Sequence, residues 1–336
     1  MILVTGGTGL VGSHLLLHLL QQGYKVRAIH RKSSKRYEVQ KVFGYYSNNS
    51  ASLFQQIDWV EADLNDIPSL EKVFNGISKV YHAAAMISFD PNDFDELLKI
   101  NVEGTANIVN LCIAYSVEKL CYVSSIAAIG KTIDASKITE ETEFTEPHAD
   151  VYARSKYAAE LEVWRASQEG LAVVIINPGI IIGPGFWEGG SGTLFATTSK
   201  GYRYHPPGGS GLVTVKDVVQ IMVLLINSGI TKERFIAVSE NKSFKEVMSL
   251  FAAELDVVPP SKELQIWQLK LLRFLDAFWY LLSRKERRIT KNSVESVKQR
   301  NYFSNEKVKQ MLGFRFEPVA DTIALSCKLF KEENLS

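Results

Sequence analysis

Residues 2–12 of the chain read Ile2-Leu3-Val4-Thr5-Gly6-Gly7-Thr8-Gly9-Leu10-Val11-Gly12, and residues 13–22 continue as a helix-forming segment. The first four residues are apolar or β-branched, which is typical of a buried strand. A strand that enters a glycine-rich turn and then a helix is the arrangement that receives a dinucleotide pyrophosphate. The glycines let the backbone approach the phosphates, and the helix N-terminus offers free N–H groups. Because strand and helix both flank the turn, we predict that it binds a dinucleotide through Gly6, Thr8, Gly9, Leu10, Val11 and Gly12.

Strand and helix patterns alternate through the first two-thirds of the chain. After the opening unit, the patterns predict strands at 24–29, 58–63, 79–85, 119–125 and 172–177, and helices at 69–75, 94–115 and 151–168. Beyond about Gly183 the pattern becomes irregular. The alternation predicts an α/β fold, a Rossmann-type doubly wound parallel sheet.

Composition favours an ordinary enzyme over other classes of protein. The chain has 336 residues, of which 46% are hydrophobic and 22% charged, and its formal net charge is +1. This balance gives no sign of a nucleic-acid partner, and no apolar run reaches the roughly 20 residues of a spanning helix. Cys112, Cys121 and Cys327 lack metal-ligand spacing and are expected to be reduced thiols in a cytoplasmic protein. Because Met1 already belongs to the first strand, we expect no signal peptide. The histidines, like the cysteines, have no metal-ligand grouping, so we expect no metal site.

The choice of dinucleotide depends on the residues after the second strand. An NAD enzyme usually carries Asp or Glu there to bind the ribose 2′-hydroxyl. This chain has His30-Arg31-Lys32-Ser33-Ser34-Lys35-Arg36 instead, with four cations and no acid. We therefore expect Arg31 and Lys32 to bind a 2′-phosphate, which favours NADP over the alternative, NAD. Asp63 and Leu64, at the end of the third strand, are predicted to meet the adenine ring.

A candidate catalytic group lies at the start of a predicted helix. Tyr152 and Lys156 are four residues apart, so they share one helix face. A tyrosine phenol with an ordinary pKa near 10 moves protons poorly at neutral pH, and a neighbouring cation stabilises its phenolate. Ser124 and Ser125 end the preceding strand, at the edge of the sheet that faces the ligand crevice. A serine hydroxyl there can hold a substrate oxygen while the tyrosine transfers the proton.

The chain resembles the extended short-chain dehydrogenase/reductase superfamily, in its NAD-dependent epimerase/dehydratase branch. The resemblance covers residues 1 to about 220 and rests on motifs that occur in the family's order: residues 5–12, Asp63-Leu64, His82-Ala83-Ala84, Asn101-Val102-Glu103-Gly104-Thr105, Ser124-Ser125, Tyr152 with Lys156, and Asn177-Pro178-Gly179 with Gly183-Pro184-Gly185. It implies a triad of Ser125, Tyr152 and Lys156, because counting back from Gly130 places the family's serine on Ser125. Asn101 resembles the helix asparagine that supports the lysine through water. The resemblance also implies cofactor contacts from Ala83, Ala84, Ala85, Pro178, Gly179, Ile180 and Ile181. Of the residues in this last stretch, Pro178 and Ile180 to Ile182 are expected to flank the nicotinamide.

Within that superfamily, the closest resemblance is to dihydroflavonol 4-reductase-like and 3β-hydroxysteroid dehydrogenase-like members. It implies an NADPH-preferring oxidoreductase that reduces a carbonyl or oxidises a secondary alcohol. One alternative is a nucleotide-sugar epimerase or dehydratase with tightly bound NAD. Such enzymes usually carry an arginine near the segment that corresponds to 209–218, and this chain has none there. Without it, a diphosphate would lack its bidentate partner. A non-catalytic NADP-sensing protein is the second alternative, and the full triad counts against it.

The resemblance also implies how the chain is organised. Residues 1–240 would form the Rossmann domain, with 178–210 contributing to the substrate site, and 241–336 a smaller, mostly helical substrate-binding lid. The stretch 262–282 is rich in apolar and aromatic residues, including Trp267, Phe274 and Phe278, so it is predicted either to line an apolar pocket for a small-molecule substrate or to pack on the core. Association with a membrane surface is the less favoured third interpretation.

A homodimer is expected as well. In the resembling family, the helices that correspond to 101–115 and 151–168 often pair across a two-fold axis. Leu161, Val163 and Trp164 are predicted to offer apolar surface for that interface. The alternative is that these three side chains cover the sheet.

Overall fold

A computed structural model of the protein describes residues 1–336 except 131–136, 147–148, 270, 272–273, 275, 277–297 and 335–336. Its largest element is a seven-stranded sheet in which every pairing is parallel. The strands of this sheet are β1 (Ile2–Thr5), β2 (Val26–His30), β3 (Asp58–Glu61), β4 (Lys79–His82), β5 (Lys119–Val123), β6 (Val173–Pro178) and β10 (Glu233–Ala237). The sheet confirms the predicted fold class.

Helices connect the strands and cover both faces of the sheet. The described helices are α1 (Leu10–Gln21), α2 (Arg36–Tyr46), α3 (Ser50–Gln55), α4 (Ile67–Phe74), α5 (Phe94–Leu97), α6 (Gly104–Ala114), α7 (Val151–Gln168), α8 (Thr193–Thr198), α9 (Val215–Asn227), α10 (Phe244–Glu254), α11 (Glu306–Leu312) and α12 (Val319–Asn334). Short 3₁₀ turns occupy Pro91–Asp93, Ile126–Ala128 and Gly190–Gly192. Among the described residues, no helix has the length and apolar character needed to cross a membrane.

The strand order is β10-β6-β5-β4-β1-β2-β3, so the direction of winding reverses between β1 and β4. In open parallel sheets, ligands bind in the crevice at the carboxyl ends of the strands on either side of such a reversal. Alternate residues of each strand enter different cores. In β5, Cys121 packs with α1 and α9, whereas Leu120 and Tyr122 pack with α6 and α7. This two-residue period therefore decides which side chains can reach the residues of α7.

Two parts of the fold differ from the prediction. The helix expected over 94–115 is interrupted by a π-helical segment, Leu98–Glu103, which lies between α5 and α6. The sequence analysis predicted no helix between β2 and β3, yet α2 and α3 fill that connection. Val39, Val42 and Phe43 of α2 are buried, and their i, i+3, i+4 spacing was a usable signal.

The region after Gly183, expected to be irregular, contributes to a second sheet. Strand β9 (Gly209–Thr214) lies between β7 (Ile180–Ile182) and β11 (Glu240–Ser243). A two-stranded pair joins β8 (Tyr204–His205) to β12 (Lys262–Glu263). The second sheet packs with α8, α10 and α12 around a separate apolar core. This core contains residues from both sides of residue 240. Strands β7 and β9 precede that residue in the chain, and helices α10 and α12 follow it. Most of the described residues after 240 are helical, as expected.

Candidate active site

The glycine turn between β1 and α1 requires residues without a side chain. Gly6 has a φ of +68°, and a Cβ at Gly12 would lie 2.1 Å from the Gly6 carbonyl oxygen. Helix α1 begins at Leu10, and the residue before it, Gly9, contributes no side-chain cap. The first N–H groups of the helix are therefore left for another acceptor. This cradle has the close backbone approach and the free N–H groups that the predicted pyrophosphate site requires.

A cavity of about 550 Å³ adjoins the carboxyl ends of β2 and β3. Its lining residues are Arg31, Lys32, Ser33, Glu61, Ala62, Asp63, Asp66 and Ser69. The two predicted phosphate-binding cations and Asp63 thus share one cavity, whereas Lys35 forms an ion pair with Glu188 at 2.8 Å. The cavity also contains Glu61, an acid from the end of β3 that the sequence analysis did not single out.

Tyr152 and Ser125 are brought together at the carboxyl edge of the sheet. Asp150 caps α7 by accepting a bond from the Ala153 N–H at 2.8 Å, which places Tyr152 in the first turn. The Ser125 hydroxyl lies beside the Tyr152 hydroxyl, close enough to interact with it. Burial raises the pKa of Tyr152 to about 12, against the opposing effect of the Ser125 hydroxyl. The phenol therefore holds its proton at neutral pH.

Ser124 has a different role from Ser125. Its Oγ donates to Glu160 Oε2 at 2.7 Å, and the same carboxylate accepts bonds from Asn177 Nδ2 at 3.0 Å and Arg234 Nη1 at 3.1 Å. Glu160 is 1% exposed, so these bonds compensate a carboxylate that is removed from water. Since Ser124 is engaged in this buried group, Ser125 alone of the pair interacts with Tyr152.

Lys156 is fully buried on α7 and points toward β5. Its Nζ donates to the Tyr122 hydroxyl at 2.8 Å and to the Val123 carbonyl at 2.9 Å. Burial lowers the pKa of Lys156 to about 7, although Glu160 partly offsets this. The sequence led us to expect the ammonium to stabilise the Tyr152 phenolate, but the two bonds that hold it here both lie on β5.

Asn101 lies in the π-helical segment. Its Oδ1 accepts the Met86 N–H at 2.7 Å, and its Nδ2 donates to the Met86 carbonyl at 3.0 Å and to Ser155 Oγ at 2.9 Å. The side chain thus anchors the loop after β4 to α7, and both amide hydrogens are used. The backbone carbonyl of Asn101 accepts a hydrogen bond from the Thr105 hydroxyl at 2.5 Å. The expected link from Asn101 to Lys156 would therefore have to start from this backbone carbonyl rather than from the side-chain amide.

The remaining predicted cofactor residues lie at neighbouring strand ends. Ala83, Ala84 and Ala85 form the loop that follows β4, with the Ala84 N–H bonded to Thr5 Oγ1 at 3.2 Å. Gly179, directly after Pro178, has no room for a Cβ, which would lie 2.4 Å from the Gly211 carbonyl oxygen. Ile180 and Ile181 are partly exposed. Leu64 is buried against Gly104 rather than open to a ligand.

Phe89 belongs to the site although no sequence motif marked it. Its ring meets the ring of Tyr152 edge-on, with centroids 5.5 Å apart, and it remains exposed. The loop that carries it is held by polar bonds, since Ser88 Oγ accepts the Asp90 N–H at 3.1 Å and Asp90 Oδ1 accepts the Asn92 N–H at 3.0 Å. The ring is thus presented beside the phenol by an ordered loop.

The aromatic C-terminal stretch is only partly described. Trp267 and Phe274 are exposed, with 64% and 68% of their surface accessible, whereas Leu269 is buried. Phe278 lies outside the described residues, as do most of the positions from 270 to 282. On α7, Val163 is fully buried against the sheet, so its predicted contribution to an external apolar surface is wrong. Leu161 is exposed and Trp164 partly so.

Comparison with known proteins gives a consistent assignment. The model of the NAD dependent epimerase/dehydratase family matches residues 2–237. The chain is 30% identical to a putative dihydroflavonol 4-reductase of Synechocystis sp., covering 96% of this chain and 92% of that protein. Among solved structures, gox2253 superposes with a TM-score of 0.83 at 27% identity, over 99% of this chain and 98% of that one. The UDP-glucose 4-epimerase of Thermotoga maritima reaches 0.78 at 20% identity over 99% of each chain, a likeness of fold alone.

Proposed function

This chain belongs to the NAD-dependent epimerase/dehydratase family, and within it we propose an NADPH-preferring reductase that acts on the carbonyl group of a moderately apolar substrate. The chain is an NAD(P)-dependent oxidoreductase of the extended short-chain dehydrogenase/reductase type. The oxidation of the corresponding secondary alcohol is the reverse of the proposed reaction. The position of the Ser125 hydroxyl beside the Tyr152 hydroxyl is the observation that carries the proposal, because a proton donor and an oxygen-binding group are then together.

Each residue of the site has a proposed task. When bound, the nicotinamide would exchange a hydride with the substrate carbon. Tyr152 donates its proton to the substrate oxygen during reduction, and Ser125 orients that oxygen. Lys156 binds the ribose and supplies a positive charge near the phenol. Asn101 keeps the loop that carries Phe89 in place through its two bonds to Met86.

Two cationic side chains in the cavity beside β2 and β3 favour NADPH over NADH. Arg31 and Lys32 line the same cavity as Asp63, and both are exposed there. A guanidinium at this position can bind a phosphate through two parallel hydrogen bonds, which a ribose hydroxyl cannot offer. Glu61 in the same cavity is the competing feature, since an acid can accept a 2′-hydroxyl. The substitution of Arg31 decides between the two.

We expect Arg31→Ala to weaken NADPH binding about tenfold or more while changing NADH binding little, because NADPH alone carries the 2′-phosphate. Fluorescence titration of both reduced cofactors measures the two affinities. Lys35→Ala serves as the control: its ammonium is already paired with Glu188, so its loss should be smaller. Equal losses for both cofactors in Arg31→Ala would mean that Arg31 is a bystander and that the enzyme is NAD-linked.

The apolar character of the substrate is inferred from one aromatic side chain at the site and two on the segment proposed as the lid. Phe89 is exposed beside Tyr152, so a substrate whose carbonyl reaches the phenol would lie against this ring. Trp267 and Phe274 offer further exposed apolar surface on the segment proposed as the lid.

Phe89→Ala should raise KM for a bulky apolar ketone by about tenfold and leave KM for a small aldehyde nearly unchanged, as expected for the loss of roughly 1–3 kcal/mol of apolar contact. Steady-state kinetics with the two substrates measure the difference. Trp267→Ala in the same assay tests the lid, because a similar selective loss would place residues 262–282 at the pocket. If both substrates responded alike to Phe89→Ala, the ring would not contact the substrate.

Two other functions fit the site less well than a reductase does. An epimerase or dehydratase acting on nucleotide sugars would need a cationic fork for the diphosphate, and residues 209–218 contain no arginine. A cofactor-sensing protein without turnover would have no use for the Ser125 hydroxyl beside Tyr152. A screen of NADPH oxidation against aldehydes, ketones and hydroxysteroid-type ketones discriminates both from the proposed reductase.

We also propose that the enzyme works as a homodimer in the cytoplasm. Leu161 and Trp164 remain on the outer side of α7, where a second copy can cover them. The three cysteines are buried free thiols, which suits a reducing compartment.

A further inference from the structure

A chain of buried polar side chains leads away from Lys156, beneath the catalytic edge. Lys156 Nζ donates to the Tyr122 hydroxyl at 2.8 Å, and the Thr105 hydroxyl lies next to that of Tyr122, close enough to interact with it. Thr105 Oγ1 donates to the Asn101 carbonyl at 2.5 Å and lies 3.0 Å from His82 Nε2. All five residues are buried, with 2% or less of their surface exposed. Their polar atoms must therefore satisfy one another.

The hydrogens in this chain can be arranged in only one satisfactory way. Thr105 has a single hydroxyl hydrogen, and the Asn101 carbonyl takes it. Thr105 Oγ1 must then accept from both His82 Nε2–H and the Tyr122 hydroxyl. On the other side of the His82 ring, Thr5 Oγ1 accepts the Ala84 N–H at 3.2 Å and donates to His82 Nδ1 at 2.6 Å. These bonds require the same His82 tautomer, with the hydrogen on Nε2.

This arrangement fixes what Tyr122 can do for the lysine. Because the Tyr122 hydrogen is directed to Thr105, its oxygen faces Lys156 as an acceptor only. An acceptor favours the ammonium over the neutral amine. The His82 ring is neutral, because burial and the nearby lysine charge lower its pKa to about 3. It therefore adds no positive charge that would oppose the Lys156 ammonium. The Tyr122 ring also lies beneath the ammonium, 4.5 Å from Nζ.

We propose that Tyr122 is a positioning residue that holds Lys156 in its charged form and orientation, and that Thr105 makes Tyr122 an acceptor. The proposal rests on the proposed function in one respect, namely that Lys156 binds the cofactor ribose. It assigns to side chains the link between Asn101 and the lysine that the family resemblance assigned to water. No sequence motif marks Tyr122, which reads as one more apolar residue of a buried strand.

The groups that face Lys156 determine how its charge responds to pH. Tyr122 faces it from β5 and His82 from β4, while Glu160 and Tyr152 lie on its own helix. Asn101 and Thr105, from the helical stretch packed against α7, do not titrate. Burial lowers the pKa of His82 to about 3 and that of Lys156 to about 7, so of these two groups Lys156 changes its charge near neutral pH.

The test measures cofactor affinity against pH, which requires no substrate. Affinity for whichever of NADPH and NADH binds more tightly is followed by fluorescence from about pH 6 to pH 9.5. In the wild type, affinity should fall as pH rises and Lys156 loses its proton. In Tyr122→Phe the Lys156 ammonium loses a hydrogen-bond acceptor, so the pKa of Lys156 falls. The loss of cofactor affinity should then begin about one pH unit lower than in the wild type.

Tyr81→Phe is the matched control. Tyr81 is a buried tyrosine on the adjacent strand β4, and its hydroxyl has no hydrogen-bond partner within the described part of the chain. Removing it should leave the pH profile unchanged. Thr105→Val should shift the pH profile in the same direction as Tyr122→Phe. Thr105→Ser retains the hydroxyl and should give the wild-type profile. These two variants keep the test decisive if Tyr122→Phe folds poorly.

A Tyr122→Phe profile that coincides with wild type would overturn the proposal, as would a wild-type affinity that does not vary with pH. A failed carbonyl screen would instead count against the proposed reductase, because cofactor affinity is measured without turnover. The two ideas can thus fail separately.

Discussion

Tyr152→Phe should reduce turnover of the physiological carbonyl by about 10²–10⁴-fold, the range in which general acid catalysis contributes. The substitution removes the hydroxyl that lies beside Ser125 and retains the ring that packs against Phe89. Cofactor affinity should therefore change little. Single-turnover oxidation of NADPH, combined with fluorescence titration of cofactor binding, separates the two effects.

A matched substitution on the same helix controls for loss of a phenol in general. The Tyr157 ring stacks on Phe144 with centroids 4.1 Å apart and faces away from the catalytic edge. Tyr157→Phe should retain nearly full turnover. Full activity in Tyr152→Phe would show that another group donates the proton, and the proposed mechanism would then be wrong.

The largest loss of stability is expected from Glu160→Ala. The substitution removes a buried carboxylate and leaves Arg234, Ser124 and Asn177 without the acceptor that each now uses. Removing one partner of a fully buried ion pair typically costs roughly 3–5 kcal/mol, and we expect the lower end of that range because Arg234 is 20% exposed and keeps its bonds to the Glu140 carbonyl. Urea unfolding followed by circular dichroism measures the free energy of unfolding.

Glu162→Ala provides the comparison within the same helix. Glu162 pairs with Arg165 at 2.9 Å on the partly exposed side of α7, where such pairs contribute about 0–1 kcal/mol. If the two variants lost the same small amount of stability, the ion pair of Glu160 would contribute no more to the free energy of unfolding than an exposed pair does. A large loss confined to Glu160→Ala would support its structural role.

Local patterns were sufficient to predict the parts of the protein that depend on short stretches of chain. The turn after β1 could be predicted because only glycine tolerates a φ of +68° beside a close backbone approach. The bounds of α7 were predicted correctly as Val151–Gln168, where Asp150 marks the N-terminus. Tyr152 and Lys156 were found because their spacing of four is a property of one helix.

The tertiary structure decided which side chains from distant segments meet. Tyr122 reaches Lys156 because β5 presents alternate residues to α7, and Arg234 reaches Glu160 because β10 pairs with β6. Phe89 lies beside Tyr152 because Asn101 anchors its loop from another helix. The sequence determined that a dinucleotide turn and a tyrosine–lysine pair exist, since both are local. Strand order and burial determined their partners, because side chains removed from water must bond to whichever polar groups the packing places within reach.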